Sequence, residues 1–155
     1  MVCTANAHLY APQTIVHLQY SAPMQMALAL SGLGNGFAAH FDFLEGRLDL
    51  TPVQAVAQKI ALHVTPELDE RYRGKFVADL TVSYADGTSE DVFVEDPIGT
   101  AHNPMPRTDQ DWKFGELTAP VLGKAGSATL LAALDRLDPA MAARDLAALT
   151  AADEG

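Results

Sequence analysis

Five histidines, at positions 8, 17, 40, 63 and 102, and the single Cys3 are the side chains best suited to hold a metal ion or attack a substrate. Two ligands on one helix face need a spacing of three or four residues, and no pair of these histidines has it. One reading is a metal site gathered from distant segments; the other is surface histidines or hydrogen-bonded core histidines. Cys3 reads as incidental rather than nucleophilic. No GxSxG elbow is present, so a hydrolase triad has no anchor. The run Gly32-Leu33-Gly34-Asn35-Gly36 imitates a dinucleotide-binding fingerprint, but Phe37 occupies the place of its third glycine. That motif also follows a strand, whereas Pro23 makes the preceding segment a helix. The acidic pairs Glu90-Asp91 and Glu95-Asp96 suit solvated strand ends better than an acid/base dyad. Asn103-Pro104, in an irregular loop, is the best stand-alone candidate for a functional loop, with a plain connection as the other reading. The residues alone outline no catalytic centre.

The elements that would position these groups are arranged around Gln19 to Leu33, QYSAPMQMALALSGL, the longest nearly uninterrupted apolar run. Ser21 is a natural N-cap and Pro23 fits the first turn, so the run predicts a helix closed by glycine. Its apolar residues point in nearly every direction, which predicts burial on nearly all sides. Before it, Thr14 to Leu18 reads as a short extended piece. After it, Phe37 to Leu50 reads as a short helix and a turn through Gly46. Thr51-Pro52 opens a further helix carrying Val53, Val56 and Ala57.

KIALHVT alternates as a strand does, which predicts that Lys59 to Thr65 joins a sheet. Glu67 to Lys75 reads as an exposed connection. The clearest local signal is a hairpin: FVADLTVSY places Phe76, Ala78, Leu80, Val82 and Tyr84 on one face. Asp86-Gly87 suits a type I′ turn, and SEDVFVE is the return strand. The loop from Asp96 to Arg107 is rich in proline and glycine and reads as irregular. Thr108 with Asp111 imitates a capping box. The helix behind it carries Trp112, Phe114, Leu117 and Val121 and should kink or restart at Pro120. Ser127 and Asp138-Pro139 would each open another helix, the first with Leu130, Leu131, Leu134 and Leu137 on one face. The expected fold is α+β: an antiparallel sheet with a β-hairpin, helices packed on one face, and a helical C-terminal segment.

At 155 residues and 48% hydrophobic content, the chain suits one globular domain over residues 1–137, followed by a C-terminal helix and tail over 138–155. Its net charge is −10, from 20 acidic and 10 basic residues, and would repel a nucleic-acid backbone. A single cysteine and the lack of a charged-then-apolar leader point to the cytoplasm. No run reaches the length of a membrane span, and no basic amphipathic face suits a membrane surface.

Taken in order, several pieces form a set. They are Pro12-Gln13-Thr14, the Ser21-x-Pro23 helix ended by glycine, and the Thr51-Pro52 helix running into KIALHV. The Asp86-Gly87 hairpin, Gly99 followed by Asn103-Pro104, and Lys113-Phe114 complete it. The set resembles the second domain of the MmgE/PrpD family, which includes 2-methylcitrate dehydratase, cis-aconitate decarboxylase and iminodisuccinate epimerase. The resemblance covers roughly Ala11 to Leu137. It implies a cleft between this domain and a larger helical one, where a proton is taken from beside a carboxylate of a small di- or tricarboxylate. It implies no required organic cofactor, and the dispersed histidines lead to no expected metal site.

The resemblance also places most of the base, acid and cationic groups upstream of this chain, in the helical domain and a lysine-containing segment. The chain is thus expected to be a domain truncated at its N-terminal side. Ser21, Met24 and Asn103 fall at positions that would line the cleft, and none is expected to be catalytic. The family often has tyrosine where Met24 stands, and a thioether cannot transfer a proton. Two expectations follow. One is part of a dehydratase or isomerase, completed by a helical domain and found as a homo-oligomer or with a partner chain. The other is a non-catalytic remnant or assembly module.

Overall fold

The computed structural model describes residues 9–34, 36–138 and 143–151. The fold is α+β. Seven helices and one antiparallel hairpin are found among the described residues, in the order α1 Ile15–Gln19, α2 Ala22–Leu30, α3 Phe37–Leu44, α4 Thr51–Ala57, α5 Pro66–Arg71, β1 Ala78–Ser83, β2 Ser89–Val94, α6 Arg107–Asp135 and α7 Ala143–Ala148. They belong to two compact units. One is the chain up to Leu62 together with the chain from Asp111 onward, and the other is His63–Gln110.

The first unit is organised by α2. Ser21 caps it, accepting the Met24 N–H at 3.2 Å. Its end is a Schellman motif: the Leu33 N–H donates to the Leu28 carbonyl and the Gly32 N–H to that of Ala29, with Gly32 at φ 74°. Met24, Ala27 and Leu28 are fully buried with Leu18, Val53 and Ala57, and Ala39 closes the cluster. Ile15, Phe43, Leu48, Val56 and Ile60 pack around it.

The expectation of burial on all sides holds for one face of α2. Leu30 is 68% exposed, because α2 packs chiefly against α4 and also against α1, which leaves its far side open. Ile15 to Leu18 is helical rather than extended, and only Thr14, the N-cap, keeps an extended backbone. Thr14 accepts the His17 N–H at 3.2 Å, and a helix is what carries Leu18 into the core, outweighing the strand preference of β-branched Ile15 and Val16.

Lys59 to Thr65 is not a strand, and the sheet among the described residues has two strands. Lys59 and Ile60 complete the last turn of α4, donating to the Val56 and Ala57 carbonyls. The Ile60 carbonyl accepts the Tyr10 hydroxyl at 2.9 Å. A strand exists only where a neighbour takes its backbone groups, and the start of this segment is already engaged by a helix end and a tyrosine.

In the second unit Pro66 starts α5, so the exposed connection contains a short exposed helix. The hairpin register pairs Leu80 with Val92 and Val82 with Glu90. Its turn is not type I′, since no non-glycine residue has positive φ. Instead Gly87, at φ 87°, donates to the Tyr84 carbonyl, and Tyr84 donates to that of Thr88, a three-residue loop with a glycine bulge. The Asp86 carboxylate takes the hydroxyl and N–H of Thr88 at 2.6 and 2.9 Å, which needs no left-handed aspartate. The Tyr72 ring, just past α5, lies 5.3 Å from that of Phe93.

Thr108 lies inside the helix rather than at its N-cap. α6 begins a residue earlier, with Pro106 accepting the Asp109 and Gln110 N–H groups. The break expected at Pro120 falls at Gly123, whose φ 68°, ψ 165° separates residues 107–122 from 124–135. The second half therefore starts before Ser127. In length and composition α6 could cross a membrane, but each half is shorter than the ~20 residues a span requires. The start expected at Asp138-Pro139 lies largely outside the described residues.

Candidate functional site

Ser21 and Met24 sit in the first unit and Asn103 in the second. Ser21 is 1% exposed. Its hydroxyl donates to the Leu9 carbonyl and accepts the Met24 N–H, so both functions serve the fold. Met24 is fully buried in the apolar cluster. Asn103 is exposed and braces the irregular loop. Its Nδ2 donates to the Asp96 carbonyl at 2.9 Å, its N–H to the Thr100 carbonyl at 3.2 Å, and its carbonyl accepts the Gly99 N–H at 2.8 Å. Gly99, at φ 98°, supplies the turn that closes this ring of bonds. Of the three candidates, Asn103 alone keeps a polar side-chain atom, Oδ1, without a partner among the described residues.

The histidines are dispersed. His17 stands in α1 and accepts the Gln13 N–H at 3.3 Å. His40 joins three elements: Nδ1 faces the Gly36 carbonyl at 2.7 Å, and Nε2 lies 3.1 Å from the Gln25 amide nitrogen, which also donates to the Leu18 carbonyl at 2.9 Å. A nitrogen at that Gln25 position satisfies both contacts, so His40 Nε2 accepts and Nδ1 donates. His40 is thus a core connector. Among the described residues no three of His, Cys, Asp and Glu gather closely enough to hold a metal ion.

The charged groups with displaced pKa values are held by local structure. Asp49 is lowered, first by the Thr51 N–H it accepts at the start of α4. Asp86 is lowered, first by the Thr88 hydroxyl. Lys75 is raised, first by its hydrogen bond to Glu95, with Asp96 as a second partner at 3.3 Å. Lys113 lies over the Phe37 ring, 5.9 Å from its centroid.

One contact without a sequence signal joins α6 to α3. The Glu116 carboxylate accepts the Phe37 N–H at 3.1 Å and the Ala38 N–H at 3.3 Å, across 79 and 78 residues of chain. An i, i+3 pattern marks a local cap, but nothing marks one supplied from a distant helix.

These features define an α+β domain whose core is a helical cluster and whose polar groups chiefly hold its own elements. The chain belongs to the MmgE/PrpD family: the model of the MmgE/PrpD C-terminal domain matches residues 2–138. No curated protein and no solved structure matches.

Proposed function

We propose that the chain serves as the smaller domain of a MmgE/PrpD-type lyase or isomerase of the 2-methylcitrate dehydratase kind, acting on small di- or tricarboxylates once a helical domain completes the cleft. The match to the family's C-terminal domain over residues 2–138 carries the reading. Proton abstraction beside a carboxylate needs a base, an acid and cationic groups for the substrate's carboxylates. In this reading the helical domain brings the proton-transfer groups, and Asn103 offers Oδ1 to the substrate from a loop braced by its bonds to Asp96, Gly99 and Thr100. Ser21 and Met24 act one step back, by fixing the helix on which the cleft wall stands.

A second reading, an assembly module without chemistry, draws on the apolar side chains open to solvent along α6: Trp112 is 62%, Val121 64% and Leu137, just beyond it, 58% exposed. Surface of this kind favours association, as a homo-oligomer or with a partner chain. The test is to assay the purified chain for turnover of 2-methylcitrate and cis-aconitate, alone and mixed with the helical domain of a family member, and to sediment both samples. No turnover alone, with turnover and a heavier species in the mixture, is the expected result. A heavier species without turnover would favour the assembly reading. A monomer that turns over either substrate alone would overturn both.

A further inference from the structure

Residues 107–122, the first half of α6, contain no buried residue; both buried residues of α6, Ser127 and Leu130, follow Gly123. Trp112 and Val121 are largely exposed and Leu117 is 38% exposed. Apolar burial therefore does little to fix this half-helix in its unit. Polar ties are among its attachments. The Glu116 carboxylate caps α3, Lys113 one turn earlier lies over Phe37, and Thr118 meets Ser127 across the break at 2.6 Å. Thr118 already donates to the Phe114 carbonyl, so Ser127 is the donor between the hydroxyls.

The α3 end of the contact is shaped for it. α3 has no side-chain cap of its own, since its N-cap is Gly36. Gly36 has φ −78° and ψ −174°, ordinary extended backbone open to any residue, so conformational freedom does not require glycine there. Space does. A Cβ on Gly36 would lie 2.7 and 2.8 Å from the two Glu116 oxygens. Those oxygens take two N–H groups that have no partner inside the helix, at the positive end of its dipole.

We propose that residues 107–122 are a releasable strap hinged at Gly123, latched to α3 by the Glu116 carboxylate, with Gly36 kept free of a side chain to admit that carboxylate. Gly36 and Glu116 then act as one device, although they lie far apart in the sequence. A segment with no buried residue opens at lower free energy than the core does, so the strap can leave α3 while the Leu18–Met24–Leu28–Val53 cluster stays closed. The device stands apart from any carboxylate substrate and survives failure of the proposed function.

Two readouts test it. Hydrogen exchange at the Phe37 and Ala38 amides reports the latch, and the fluorescence anisotropy of Trp112, the single tryptophan, reports the strap. Glu116→Ala should speed exchange at both amides by about tenfold or more, the scale of losing a charge-assisted bond, and add fast motion at Trp112. Gly36→Ala should do the same, because its methyl group pushes aside the flexible end of Glu116 rather than backbone. The double variant should match either single one, with exchange in α2 unchanged throughout. Wild-type protection in Gly36→Ala, or a double variant as perturbed as the two singles combined, would overturn the proposal. Should Glu116→Ala also loosen α2, Glu116→Gln decides: faster exchange confined to Phe37, Ala38 and the strap supports the latch, and unchanged exchange refutes it.

Discussion

Leu28 and Leu30 stand two residues apart on α2 in opposite surroundings, fully buried in one case and 68% exposed in the other. Leu28→Ala should cost about 2–5 kcal/mol, the range for a large-to-small change in a packed core. Leu30→Ala should stay within about 0.5 kcal/mol, as surface changes do. Thermal melts of the two variants check this, and equal shifts would contradict the packing. At Asp86 the quantity to vary is pH. Its folded pKa lies below the ordinary 3.8, chiefly through the Thr88 hydroxyl, so the unfolded chain binds a proton at higher pH than the folded one. The turn's contribution is present above pH 3.8 and is lost as pH falls through the depressed folded value. An acid titration followed at the Gly87 amide should show the turn loosening only below that point, and Asp86→Asn should remove the dependence.

Among the elements, those with strong local signals formed where the sequence put them. The Ser21 cap and its glycine stop, the Thr51-Pro52 start and the Asp86-Gly87 hairpin are each set by residues in contact along the chain. The misread segments depended on partners far away. KIALHVT has a strand's alternation but no neighbouring ladder among the described residues, and Ile15 to Leu18 is helical, which carries Leu18 into the core. In α6, Pro120 removes one N–H yet the helix runs on to Gly123, where the backbone takes a conformation nearly restricted to glycine. Gly123→Ala should therefore destabilise the protein by about 1–3 kcal/mol. A Tm unchanged by this substitution would show that the two halves can be joined without strain. The Glu116 cap on α3 was invisible for the same reason as the missing strand: its two ends are distant in sequence.

For the whole molecule, the family and the α+β class were legible because they rest on an ordered series of local motifs. The surroundings of Ser21 and Met24 were not, because burial depends on what packs around a helix. The buried cluster, from Leu18 to Ala57, lies entirely ahead of the hairpin in the chain. A ribosome adding ~5–20 residues per second releases α1 to α4 before β1, and Glu116 appears only after both strands. During synthesis the amides of Phe37 and Ala38 thus face water for a time on the order of seconds. The strap is fastened to a helix that is already in place, so birth order makes the closing of α3 a later event than the closing of the buried cluster.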